Sequence, residues 1–227
     1  MALPDKLLNG YRAFVGERLP REQKRLGELA ESGQKPETMV IGCCDSRVSP
    51  EVIFDAGPGD LFVVRNVANA VPPYAPDGSY HGVSAALEFA VQALRVKTIV
   101  VLGHARCGGI RAFADDSSAP LSPGDFIGKW ITLLEPAAIR TGGRGMHETL
   151  EAYIERLAVA SVETSIANLL TFPCVKILTE KGKLALHGAY FDIATGVLMV
   201  RDGASGAFLP AIGQMPRRVN QFRATEA

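Results

Sequence analysis

Apolar and polar positions fall into short blocks along this chain, and the blocks predict an alternation of helices and strands. Residues 5–31 mix apolar and charged positions at helical spacing, interrupted by Pro20. They predict a two-part amphipathic arm, packed on the domain or on a partner subunit. Thr38-Met39-Val40-Ile41 predicts a buried strand over 38–42. Ser49-Pro50-Glu51 opens a short helix, with Ser49 able to cap it and Pro50 at its first position. Gly57-Pro58-Gly59-Asp60 is a turn, and Leu61-Phe62-Val63-Val64 a second buried strand leading into Arg65-Asn66. The Pro-rich stretch 71–80 is a loop. Residues 83–95 carry Val83, Leu87, Val91 and Leu94 on one helical face.

A third apolar run, Thr98-Ile99-Val100-Val101-Leu102, predicts a strand, and Gly108-Gly109 permits a close backbone approach ahead of another helix. Residues 115–124 and 141–145 are Ser/Pro/Gly-rich loops, and 125–139 and 147–170 are helical. Leu184-Ala185-Leu186 and Val197-Leu198-Met199-Val200 are strands flanking the Thr195-Gly196 turn. There is no internal repeat and no dividing linker. The expectation is a single α/β domain over 36–227, with a mainly parallel central β-sheet flanked by helices, and an N-terminal helical arm over 1–35.

Composition narrows the function. The chain has 227 residues, 47% hydrophobic and 21% charged, as a soluble globular domain with a full core has. Lys+Arg and Asp+Glu both number 24, so no net field draws it to nucleic acid or to a membrane surface. No apolar run approaches the ~20 residues of a bilayer span. Charged residues from Asp5 to Arg18 exclude a secretory signal there. Four Cys do not make a disulfide framework in a chain this long, and a reducing cytoplasm would keep them available for metal.

The chemistry sits at two strand ends. Cys43-Cys44-Asp45-Ser46-Arg47 follows the first apolar run, and His104-Ala105-Arg106-Cys107 follows the third. In open α/β sheets ligands gather outside the carboxyl ends of the strands, so these groups should converge. Two thiols and an imidazole form a catalytic zinc set, because three protein ligands leave the fourth tetrahedral position for water. Bound zinc lowers the pKa of that water to ~7. Asp45 and Arg47 are spaced for a fork-like pair. Such a pair either holds Asp45 as an acceptor orienting zinc-bound hydroxide or releases it to the fourth metal site. Taken singly, each of these residues also fits a structural role; five of them at two strand ends do not. Cys44 alternates away from Cys43 and is expected as a buried thiol, and Cys174 as core. His81 is a candidate for moving protons, a surface or capping role being the plainer expectation; His147 and His187 have no ligand-like partner. No G-x-G-x-x-G or G-x-x-x-x-G-K-[ST] occurs, which removes the usual dinucleotide and nucleoside-triphosphate readings.

Cys43-x-Asp45-x-Arg47 followed by His104-x-x-Cys107 resembles the β-class carbonic anhydrases, in their plant-like branch. Gly59–Asn69, Gly103–Ile110, Ser165–Leu170 and Leu186–Tyr190 are similar to family segments, so the likeness spans roughly 30–200. The resemblance implies a zinc enzyme, a lyase interconverting CO₂ and bicarbonate. It implies one Zn²⁺ per chain on Cys43, His104 and Cys107, with water or Asp45 in the fourth position and Asp45–Arg47 as the gate. It implies a homodimer or a multiple of dimers, with the N-terminal arm in dimerisation and the site near the subunit interface. For substrate it implies Gln34, an apolar pocket of Phe62, Val67 and Phe89, and the backbone N–H of Gly108. Phe89 stands where tyrosine is common. One branch of the family closes its zinc by binding bicarbonate at a second site that needs a tryptophan, an arginine and a tyrosine. The matching positions here are Val40, Arg65 and Phe191, so an open site without that switch is expected. Two other readings keep the metal: a hydrolase of carbon disulfide or carbonyl sulfide, and a zinc-binding structural or redox module using Cys44 or Cys174 as a further thiol.

Overall fold

In the computed structural model, residues 3–115 and 126–213 are described. The Ser/Pro/Gly-rich stretch expected at 115–124 lies outside them from 116 onward. The arm is one unbroken helical rod. Helix α1 (Asp5–Ala13) passes through a π turn (Phe14–Arg18) into α2 (Leu19–Ser32). Pro20, which has no N–H to donate, sits directly after that wide turn, so the predicted interruption is a change of helical period. Gly33 at φ 76° ends α2. Neither arm helix buries a single residue within the chain.

The apolar runs become three parallel strands. Strand β1 (Thr38–Cys43) lies between β2 (Leu61–Asn66) and β3 (Thr98–His104), with short helix α3 (Pro50–Ile53) between β1 and β2 in sequence. Ser49 occupies the position before α3 but does not cap it: its hydroxyl donates to Glu51 Oε2 at 2.8 Å instead. Helix α4 (Gly82–Glu88) continues through a second π turn (Phe89–Leu94) to β3. Then come α5 (Gly108–Ala114), α6 (Phe126–Ile131), α7 (Glu135–Thr141), α8 (Leu150–Leu169) and α9 (Pro173–Glu180). Thr149 accepts the Ala152 N–H at 3.2 Å and starts α8. The sheet closes with β4 (Ala185–Phe191), parallel to β3, and antiparallel β5 (Leu198–Arg201) and β6 (Phe208–Pro210). The order is β2-β1-β3-β4-β5-β6, a single mainly parallel sheet flanked by helices.

Alternation along the strands makes two unequal faces. Met39, Ile41, Ile99 and Val101 are fully buried against α4, α8 and the start of α9. At Gly103 the contact is so close that a Cβ would lie 2.6 Å from Val162 Cγ2 of α8. The opposite face buries Val40, Leu102 and Ala189, but leaves Val63 and Val100 half-covered and His187 exposed. Among the described residues, no single helix is long and apolar enough to cross a membrane.

Candidate metal centre

The carboxyl ends of β1 and β3 deliver the two halves of the site. Cys43 is the last residue of β1, His104 the last of β3, and Cys107 immediately precedes α5. Their ligand atoms lie within 4.8 Å of one another, and all three residues are buried. The two Sγ atoms are 3.9 Å apart. A disulfide needs about 2.05 Å, whereas two sulfurs at ~2.3 Å from one tetrahedral zinc stand roughly 3.8 Å apart. His104 is 1% exposed, and its Nδ1–H donates to the Ala105 carbonyl at 2.8 Å. That bond fixes the tautomer and leaves Nε2 a lone pair, buried and without a hydrogen-bond partner among the described residues. A buried nitrogen beside two sulfurs, with no geometrically formed hydrogen bond among the described residues, fits a metal ligand.

One of the two sulfurs, that of Cys43, is prepared as an anion. The Cys107 thiol donates to Cys43 and lowers the Cys43 pKa against the cost of burial, with help from His104 and the backbone N–H groups of Asp45 and Ala68. Loss of the second proton, from Cys107, is pushed up by that same contact and by burial, although the N–H groups of Ile110 and Gly109 favour its thiolate. A bound cation would remove this opposition. Burial disfavours a charged His104, yet the Cys43 sulfur, the Ala105 carbonyl and Asp45 outweigh it and raise its pKa.

Around the cluster the backbone is forced. Ala68 and Asn69 both have positive φ (64° and 46°), an uncommon state for residues with a Cβ. The Asn66 amide holds that turn by bonding both the N–H and the carbonyl of Ala70. Trp130 Nε1 donates to the Val67 carbonyl at 2.8 Å. Gly109 lets α5 approach, since a Cβ there would lie 2.6 Å from Val67 Cγ1.

Asp45 and Arg47 form the predicted fork. Arg47 Nε and Nη2 donate to the two carboxylate oxygens at 2.9 and 2.6 Å, and the Arg47 backbone N–H adds a third bond at 3.0 Å. These bonds hold the Asp45 carboxyl well below the usual carboxylate range, although its partial burial opposes them. Arg65 donates to the carbonyls of Cys43 and Asp45 at 2.7 and 2.6 Å, so it braces the loop that follows Cys43.

Of the residues expected to meet substrate, Val67 and Gly108 flank the cluster, next to Ala68 and Cys107 respectively. Gln34, Phe62 and Phe89 do not join it within this chain. Phe62 pairs with Met39, four residues before Cys43, which is roughly 13 Å back along the strand at ~3.3 Å per residue. Its ring lies 5.9 Å from that of Phe89, which is 51% exposed. Gln34 is exposed before β1 begins. A pocket of Phe62, Val67 and Phe89 is therefore not formed inside one chain, because the strand separates its members. Cys44 is exposed, contrary to its expected burial, because β1 ends at Cys43 and the chain turns there. Cys174 packs half-buried on the core as expected. His81 lies on the surface, its Nε2 2.7 Å from Asp77 Oδ1. Sequence reasoning missed Trp130, which donates to the Val67 carbonyl, and Glu155, whose Oε1 accepts the Arg106 N–H between His104 and Cys107. Each comes from a distant element, and no local pattern announces such a contact.

The fold and the cluster define a class: an α/β protein with a three-ligand metal constellation at the carboxyl ends of parallel strands. Residues 38–198 match the family described as carbonic anhydrase. The chain is 37% identical to a carbonic anhydrase of Pseudomonas aeruginosa over 203 residues, 89% of this chain and 90% of that one. It is likewise 37% identical to carbonic anhydrase 1 of Escherichia coli O157:H7 over 205 residues, covering 90% and 91%. Among solved structures it is similar to the β-carbonic anhydrase CcaA, with a TM-score of 0.80 and 28% identity over 93% of each chain. It is also similar to a tetrameric β-carbonic anhydrase of Sordaria macrospora, with a TM-score of 0.72 and 29% identity over 90% of this chain and 97% of that one. The chain belongs to the carbonic anhydrase family, in its β class. It is an enzyme, a lyase of the carbonate dehydratase kind, and its family membership supports carbon dioxide hydration.

Proposed function

We propose that this chain catalyses the zinc-dependent, reversible hydration of carbon dioxide to bicarbonate and a proton, with one Zn²⁺ per chain on Cys43, His104 and Cys107. The observation that carries the reading is the orphaned, buried Nε2 of His104 beside two sulfurs 3.9 Å apart. Zinc in a three-ligand site supplies a Lewis acid that makes water nucleophilic near neutral pH. The chain does the rest. Asp45 is ionised and offers an acceptor oxygen that orients the reacting water, while Arg47 keeps the carboxylate from drifting.

Asp45 also works as the gate. Both its oxygens are committed to Arg47, which supports an open site. Arg65 is committed to two backbone carbonyls, and Val40 is fully buried where the other branch has tryptophan. These placements support the absence of a bicarbonate switch.

The functional unit is a homodimer or a multiple of dimers. Val67 and the Gly108 N–H come from the chain that holds the metal, and Gln34, Phe62 and Phe89 come from its neighbour. Three features support this: the distance of Phe62 from the cluster, the half-exposed Phe89 ring, and an arm with no fully buried residue in its own chain. The four free thiols suit a reducing cytoplasm.

Stopped-flow CO₂ hydration on protein of measured zinc content, at pH 7 and pH 8.5, tests the reading. Zinc-dependent turnover at both values is expected. Turnover only at pH 8.5 would leave the enzyme but refute the open site. None at either value, with one zinc per chain, would shift the substrate to the sulfur analogues or leave an inert zinc module.

A further inference from the structure

Between His104 and Cys107 the chain must reverse so that both side chains face one point. It does so at Arg106, whose φ of 55° is uncommon for a residue with a Cβ. Something must hold that turn. Ala105, one residue earlier, is tied to the sheet, its N–H donating to the Phe191 carbonyl at 2.9 Å. The N–H of Arg106 has left the sheet and donates instead to Glu155 Oε1, on α8, at 2.8 Å. Glu155 Oε2 accepts the hydroxyl of Tyr190, which lies on β4 opposite Gly103. The carbonyl of Arg106 accepts from Arg47 Nη2 at 3.3 Å, and Arg47 carries Asp45. One path of hydrogen bonds therefore runs from Tyr190 through Glu155 and Arg106 to Arg47 and Asp45.

Resting on the reading of the cluster as a zinc site, we propose that Glu155, oriented by Tyr190, is the positioning residue of this centre. It anchors the Arg106 turn, and through it sets both the span between His104 and Cys107 and the placement of Arg47. Glu155 touches no ligand atom and no reacting group. Its role is geometric: one carboxylate oxygen for the turn and one for the tyrosine that fixes the carboxylate. Outer partners of metal ligands typically hold a 10–100-fold share of metal affinity, which sets the scale of the effect.

The test compares wild type, Glu155→Ala, Glu155→Gln and Tyr190→Phe, with Glu148→Ala as a control whose carboxylate serves Arg156 instead. Two quantities are read: the rate at which a chromophoric chelator removes zinc, and the visible absorption of the cobalt(II)-loaded protein, which reports ligand geometry. Glu155→Ala is expected to release zinc about 10–100-fold faster and to alter the cobalt bands. Glu155→Gln keeps an oxygen for the Arg106 N–H and should restore both readouts to within a few-fold of wild type. Tyr190→Phe should move them part of the way. Wild-type values in Glu155→Ala, a Gln variant as impaired as Ala, or equal effects in Glu148→Ala would each overturn the assignment. If Glu155→Ala does not fold, Tyr190→Phe decides by the same readouts, and its lack of effect refutes the role. Failure of the wild type to take up zinc would remove the zinc reading and this role with it. Zinc uptake with unaffected variants would remove this role alone.

Discussion

The proposed mechanism asks the Asp45 carboxylate to stay charged, to stay beside the cluster and to leave the fourth metal position free. Its two oxygens on Arg47 satisfy all three demands. Replacing it by Asn keeps the size but breaks the fork, so Asp45→Asn should retain zinc and lose on the order of 10²-fold in CO₂ hydration, the lower range for a positioned acid–base group. An unimpaired rate would remove Asp45 from the mechanism. The pair also has a pH signature. The folded-state pKa of Asp45 is depressed, so its stabilisation is complete above the unfolded value of ~3.9 and is lost as pH falls through the lower folded value. Arg47 is about half exposed, which limits the contribution to about 1 kcal/mol. At matched metal content, thermal unfolding should favour wild type over Asp45→Asn at pH 7, and the gap should narrow below pH 4. Cys43→Ser should lose zinc and turnover together; zinc retained at full activity would refute its role as a ligand. These residues were legible in the sequence because Cys43, Asp45 and Arg47 follow one apolar run two, four and six positions after Ile41, and strand ends are where α/β sheets place chemistry. Arg65, Trp130 and Glu155 were not legible as braces, since their partners lie 22, 63 and 49 residues away and only the folded sheet brings them together.

The strands decide where these residues meet, and helix α8 decides how firmly. It crosses β3 at Gly103, directly before His104, where no side chain fits beneath Val162. Gly103→Ala should therefore cost ~1–3 kcal/mol by overpacking. Val162→Ala in the same chain should recover part of that loss, because the two sites share one contact. Chemical denaturation of the two single variants and the double variant measures the coupling, and strict additivity would show that the contact does not limit packing. The buried strands were readable because parallel strands covered on both faces are continuous apolar runs. Helix α9 and strand β6 were not. Phe172-Pro173-Cys174-Val175 shows an apolar cluster without a helical period, and Pro173 declares itself a helix start only once Phe172 is seen to be buried. Strand β6 is three residues long and, among the described residues, pairs only with β5, too little alternation to read. The Ser49 hydroxyl, expected to accept a backbone N–H of α3, instead donates to Glu51 Oε2, a local choice of role that residue type alone does not resolve.

For the whole molecule, the two ends of the sheet carry different halves of the proposed site. The carboxyl end holds the metal ligands, Asp45, Val67 and Gly108; the other end holds Gln34 and the Phe62–Phe89 pair. One chain cannot fold one end onto the other, because the rigid strands of the sheet lie between them. A two-fold pair of chains can, since each presents its Phe62 end to its partner's metal end. The exposed arm and the half-covered second face of the sheet would supply surface for the proposed contact. Nothing in the one-dimensional pattern distinguishes the two ends, so the sequence suggests one pocket where the fold separates two groups. This arrangement makes a strong prediction by complementation. Cys43→Ser lacks a metal ligand but keeps its aromatic pair; Phe62→Asp keeps the metal ligands but spoils the apolar wall. Each variant alone should be nearly inactive. Unfolded together and refolded as a one-to-one mixture, they pair at random, and half of the dimers are mixed. Each mixed dimer then holds one intact site, with metal from the Phe62→Asp chain and the wall from the Cys43→Ser chain. Activity should return to about a quarter of wild type by that statistical pairing. If every site is built within one chain, no pairing restores it, and the mixture should remain as inactive as its parts.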